Sequence, residues 1–333
     1  MPDSTTAQSD KHIKYLDSAR GIAALMVFFS HFVARCFQDK MNVRYLFLVF
    51  NGNDAVSFFF VLSGFVLSYK YIVLNKELDI KKFYVSRVFR LFPAYFITIL
   101  LTALYAYRHQ FNGDTFLSVF VYNKYEFWEE ALLLRFHNNL YEPGWTLTLE
   151  MLGSFLIPFY IALALKDKKY IPYLIVVTLI IGNNLYFSYL FLFGIIASTN
   201  YSTITGASFR QTKWFRYRYL ILIAAIIVFS IRQIDAITPI GWPTFKYLQG
   251  YLGLDFFNYT GLSCFVFLVG ILHSKKAQRF LEKKVLVFLG KISYSIYLVH
   301  ILVINALYFF IGKYITFPPH PRSVLHRGRC SLQ

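Results

Sequence analysis

Charge is what this sequence has least of. Only 15% of its 333 residues are Asp, Glu, Lys or Arg, where a soluble domain carries about 25%. A chain that is 57% hydrophobic and 20% aromatic could not hide so much apolar surface from water, which excludes a soluble globular domain. Cysteine is sparse too: Cys36, Cys264 and Cys330 are too far apart for a disulfide framework or a metal-site spacing. No two glycines stand two residues apart, so there is no G-x-G-x-x-G, and no Walker loop is found. The sequence contains no H-E-x-x-H or C-x-x-C to hold a metal and no G-x-S-x-G nucleophile elbow. No internal repeat of the kind many transporters carry is visible.

What is present is a series of apolar runs with short basic clusters between them. The net charge of +17 would suit nucleic acid, but clusters between apolar runs are how topology-setting charge is distributed in membrane proteins. The runs predict helices over about 18–37, up to 74, 83–107, from 144 onward, 170–183, 185–199, 219–235, 255–273 and 290–310. The expected fold is therefore all-α, a polytopic membrane helix bundle of about nine spans. With residues 1–17 on the cytoplasmic side, the inner segments hold 22 of the 34 Lys and Arg, a positive-inside bias. Residues 1–14 are polar and read as a disordered cytoplasmic N-terminus. Residues 312–333 interleave Pro318, Pro319, Pro321, Arg322, Arg327 and Arg329 and read as a basic, non-spanning tail.

Several apolar runs carry ionisable residues. The stretch LDSARGIAALMVFFSH (16–31) opens with Asp17 and Arg20 and closes on His31. Eleven residues make roughly 1,100°, close to three full turns, so Arg20 and His31 share one helix face about 16 Å apart. An ionisable residue within a span is costly and marks a functional site; a histidine hydrogen-bonded between helices is the plainer alternative. Arg87 and Arg90 are i, i+3 neighbours at a membrane edge. Their guanidinium forks suit phosphate oxygens, although arginines there also set topology. Glu150 falls about two turns inside its span, where a carboxylate needs a partner. Tyr297 and His300 are again i, i+3. Counted from the expected helix starts, His31, His300 and Glu150 reach a similar depth, as a shared polar chamber requires. Around 108–143, Glu126, Trp128, Glu129 and Glu130 predict an interfacial amphipathic helix, whose aromatic and carboxylate groups would also suit a sugar. Ser63 and Gly64 would let a neighbouring helix approach closely, and packing is the favoured role for Ser57 and Ser63.

Five segments, taken in order, resemble acyltransferase family 3, integral-membrane enzymes that O-acylate sugars and other hydroxyl compounds. LDSARGIAALMVFFSH resembles its opening motif, and AVSFFFVLSGFVLSY (55–69) its second, centred on FFVLSGF. RVFRLFPAY resembles R-x-x-R-L-x-P-x-Y, and ISYSIYLVH (292–300) resembles S-Y-x-x-Y-L-x-H. GWTLTLEMLGSFLIPFY (144–160) resembles W-S-L-x-x-E more loosely. It has Met151 where the family often has a second acid, and its Phe159–Tyr160 pair comes late. The resemblance covers roughly residues 15–311, the expected membrane acyltransferase domain, and the family normally continues into one further span.

The resemblance implies transfer of an acyl group, most simply acetyl, from cytoplasmic acyl-CoA to a hydroxyl of a sugar. The acceptor would be a surface polysaccharide, a lipid-linked precursor or another glycoconjugate, at a bacterial cytoplasmic membrane. Arg87 and Arg90 would hold the coenzyme's phosphates, with Arg20 and Asp17 orienting the entrance. His31 would be general base or transient acyl carrier, and Glu150 and His300 its secondary partners. Neither a metal nor nucleic acid is implied; the expected partners are membrane lipid, acyl-CoA and the carbohydrate. The competing class is a proton-coupled transporter or exporter of glycoconjugates, with His31, Glu150 and His300 as a proton relay.

Overall fold

A computed structural model describes residues 13–37, 50–107, 113–122, 126–135, 140–181, 187–237 and 257–311. The expected tail over 312–333, the link over 38–49 and the loop carrying Trp242 and Pro243 lie outside the described residues. Nine principal helices stand among the described residues where the apolar runs predict them. They are α1 Lys14–Phe37, α2 Gly52–Ile72, α3 Ile80–Tyr107, α4 Gly144–Lys166, α5 Tyr170–Ile181, α6 Ser188–Thr199, α7 Arg218–Ile237, α8 Phe257–His273 and α9 Lys284–Ile311. Five of them (α1 to α4 and α9) are long and apolar enough to cross a membrane; the others are shorter apolar helices. The twelve residues of α6 rise only about 18 Å, short of a ~30 Å hydrocarbon core. The chain is an all-α membrane bundle.

The bundle is built around α2, which touches α1, α4, α6 and α8. Its sequence explains the position, because it is apolar on every side and a helix of that kind belongs in the interior. Phe58, Phe60, Val61, Leu62 and Phe65 are all buried. Lipid is as apolar as these side chains, so close approach of backbones rather than escape from water holds the helices together. Glycines supply that approach at two crossings. A Cβ at Gly64 would lie 2.8 Å from the Phe191 Cα, and one at Gly194 would lie 2.8 Å from the Gly64 carbonyl carbon. The second crossing joins α1 to α9: a Cβ at Gly21 would stand 2.7 Å from the Gly290 nitrogen, and one at Gly290 2.7 Å from the Ser18 nitrogen. Polar fasteners add to the packing. Ser68 bonds Ser198 at 2.7 Å, Thr260 bonds Ser57 at 3.2 Å, and Gln233 donates to Asn51 at 2.6 Å.

Two expectations need correcting. Helix α9 begins at Lys284, six residues before its expected start, because KVLVFL continues the apolar period. The amphipathic helix expected within 108–143 is instead a short helix Gly113–Phe116, a π-helical turn Leu117–Val121 and a five-residue helix Phe127–Ala131. Glu126 and Leu133, both at φ 58°, break the path. The carboxylates there are engaged within the fold. Glu126 and Glu129 pair with Arg135, and the fully buried Glu130 accepts from the backbone nitrogens of Leu140 and Tyr141 at 3.0 and 3.1 Å.

Candidate functional site

The α1–α9 crossing sets the geometry of everything above it. Gly21 faces Gly290, and the two helices run in the same direction. Ten residues further on in each come His31 and His300. Ten residues rise about 15 Å in either helix, so a register fixed by two glycines must return the histidines to one level. Their ring centroids are 5.1 Å apart. Arg20, next to Gly21, stays at the lower level and pairs with Asp17 at 3.8 Å.

At the arginine level a cleft of about 640 Å³, counting its open mouth, lies between α1, α2, α3, α4 and α9. Arg20, Arg87 and Arg90 line it together with Glu150, so positive charge exceeds negative in its wall. Arg87 is buried. Its Nη2 meets the Glu150 carboxylate at 2.5 Å and its Nε donates to Ser154 at 3.1 Å. Arg90 is exposed, and among the described residues no carboxylate pairs with it. The arrangement leaves guanidinium donors free to meet a multiply charged anion, which bidentate forks recognise well.

Tyr297 and Thr146 line the cleft, and Tyr297 joins it to the histidine pair by packing against His300. The two hydroxyls are 2.5 Å apart, and the Tyr297 ring lies 5.5 Å from that of His300. His300 is 1% exposed. Its Nδ1 is 2.5 Å from the Tyr297 carbonyl oxygen. A carbonyl can only accept, so Nδ1 carries a proton, and in the neutral imidazole Nε2 keeps its lone pair. No described group bonds that Nε2. Tyr141 fixes the same stretch of α9 by donating to the Leu298 carbonyl at 2.7 Å. Burial pushes its phenol well above the usual value, so it remains a donor. Glu130, which holds the Tyr141 backbone nitrogen, thus supports the histidine end from a distance.

The structure therefore sorts the expected residues into two groups. His31 and His300 meet. Glu150 does not join them; it stands with Arg20, Arg87 and Arg90. Thr146, Ser154, Tyr294 and the Glu130–Tyr141 support did not emerge from the sequence. A signal for two of them is there: Thr146, Glu150 and Ser154 are spaced four apart, a polar stripe on an apolar helix.

Helices of this length and hydropathy around an arginine-lined cleft define an integral membrane protein with a charged site between its helices. The chain belongs to acyltransferase family 3, whose acyltransferase-domain model matches residues 13–325. It is a membrane acyltransferase. No curated protein and no solved structure matches it.

Proposed function

We propose that the protein moves an acetyl group from acetyl-CoA to a hydroxyl of a sugar in a surface polysaccharide or its lipid-linked precursor. What supports this is a cleft lined by three arginines, suited to the coenzyme's phosphates, whose lining residue Tyr297 packs against one of two facing histidines suited to proton transfer. The excess of Lys and Arg in alternate loops supports an orientation with the N-terminus and the arginine mouth on the cytoplasmic side, where the donor is made. On that orientation the histidines lie deeper, toward an acceptor arriving from the opposite face of a bacterial cytoplasmic membrane. Arg87 and Arg90 bind phosphate, Arg20 closes the mouth, and His31 takes the acceptor's hydroxyl proton with His300 beside it. The role of Glu150 is to occupy Arg87 until the donor arrives.

The test is mass spectrometry of surface glycans from cells with and without the gene, together with labelled acetyl-CoA supplied to purified protein in nanodiscs. Acetyl esters should depend on the gene, and label should reach the glycan. His31→Ala should abolish transfer while insertion and coenzyme binding persist. A stable His31→Ala protein that still acetylates would sink the mechanism. Transport that follows a proton gradient without acetyl-CoA would favour the transporter instead.

A further inference from the structure

Acyl transfer develops negative charge on the acyl carbonyl oxygen, and a fixed donor aimed at that oxygen is among the largest contributions an enzyme can make. Five hydroxyl side chains line the cleft: Ser63, Thr146, Ser293, Tyr294 and Tyr297. Three have their protons committed to main-chain carbonyls. Ser293 donates to Gly290 at 2.8 Å, Tyr294 to Leu91 at 2.6 Å and Thr146 to Pro143 at 2.8 Å. Because the Thr146 proton goes to Pro143, the 2.5 Å contact between Thr146 and Tyr297 has the phenol as donor. Its partner is an oxygen that keeps its own hydrogen bond when the phenol turns away, so redirecting that proton strands no carbonyl.

Tyr297 is also the hydroxyl tied to the histidine end. Its ring touches that of His300, and its carbonyl accepts the His300 Nδ1 proton and lies 3.4 Å from the Tyr141 hydroxyl. Ser63 lines the cleft from α2 without contact to either histidine among the described residues. Tyr297 is 8% exposed, its ring packed against that of Phe59 at 5.8 Å. It is a neutral donor on a pinned backbone in a place of low dielectric, where such a donor acts most strongly.

We infer that Tyr297 is a catalytic residue, its phenol donating a hydrogen bond to the oxyanion of the tetrahedral intermediate. This rests on acetyl-CoA as donor. The acceptor's oxygen forms a bond to the thioester carbon, its proton passes to a histidine, and the carbonyl electron pair moves onto oxygen. Tyr297 keeps its proton throughout and only shares it. When the intermediate collapses, the carbon–sulfur bond breaks and the thiolate takes the proton back from the imidazolium. The products are the ester and free coenzyme thiol.

The experiment compares Tyr297→Phe, Thr146→Val and the double variant in nanodiscs, each with coenzyme binding measured alongside turnover. Tyr297→Phe should lower kcat by about 10²–10³ with coenzyme affinity within about twofold of the parent. Thr146→Val should lose far less, about fivefold at most, because the phenol's own donor survives. The double variant removes both polar atoms of the contact, so no unpaired hydroxyl is left to account for its loss, and it should be as slow as Tyr297→Phe. Equal losses in both single variants would mean that the contact is merely a fastener between α4 and α9. A double variant with parental kcat would equally overturn the assignment. A parent protein that transfers nothing from acetyl-CoA would overturn the proposed function; a working parent with an unimpaired Tyr297→Phe would overturn this inference alone.

Discussion

At the Arg20 level of the α1–α9 pair, the ionisable groups are charged, partly open and matched against Glu150 and Asp17. About 15 Å further along the same two helices, two imidazoles face each other, and His300 is 1% exposed with no partner for its Nε2 among the described residues. The difference follows from chemistry. A guanidinium cannot shed its proton, so inside a membrane it needs a counter-ion and a route to water. An imidazole can stay neutral and therefore tolerates a dry place. The chemistry of the arginine end suits an anion and that of the histidine end a mobile proton, and one pair of parallel helices keeps the two ends in register.

The strongest way to break this comparison is to disturb the crossing that sets both levels. In Gly290→Ala the new methyl would sit 2.7 Å from the Ser18 nitrogen and closer still to the Asp17 carbonyl. The backbones must separate, at a cost of about 1–3 kcal/mol or more. Transfer should fall below detection together with thermal stability in detergent, because the histidine register is lost with the crossing. Normal turnover in a folded Gly290→Ala protein would show that the register does not matter. A smaller effect, confined to one level, is expected from the arginines. Arg87→Ala or Arg90→Ala should weaken acetyl-CoA binding by about 1.5–3 kcal/mol, and Lys should restore only part of it. Only Arg87→Ala should also destabilise the fold, since it leaves the half-buried Glu150 without its paired cation. Unchanged affinity in both variants would reduce the pair to a topological signal.

Much of this was legible in the sequence. All nine principal helices follow from apolar runs, and the Arg20-to-His31 spacing gave the two levels on α1. The close approach expected at Gly64 is there, against Phe191. Glu150 shows where legibility ended. Counting depth along α4 placed it level with the histidines, but its neighbour is decided by how α3 and α4 slide past each other. The Tyr84 hydroxyl bonds the Phe155 carbonyl at 2.9 Å, and that register brings Arg87 alongside Glu150 and Ser154. No pattern within either helix specifies it. Thr146 and Tyr297, 151 residues apart, meet for the same kind of reason, and so do Glu130 and the backbone of Leu140 and Tyr141. The Glu130 carboxylate read as an exposed interfacial charge because its spacing resembles one.

The smallest expected effect, and the one that separates the two levels most cleanly, is at Glu150. Glu150→Gln keeps the side-chain volume and an oxygen for Arg87 but removes the negative charge. Two consequences oppose each other. The fold loses the charged part of an ion pair whose side chains are 9% and 14% exposed, so stability drops. The donor gains, because a guanidinium no longer shared with a carboxylate attracts phosphate more strongly, and at this burial salt screens it little. Acetyl-CoA affinity should rise three- to tenfold, about 0.7–1.4 kcal/mol, while kcat falls by less than about tenfold. If Glu150 belonged to the proton chemistry of His31 and His300, the same variant would leave affinity where it was and cut kcat by orders of magnitude. Measuring the two constants on one preparation therefore tells an occupant of Arg87 from a partner of the histidines.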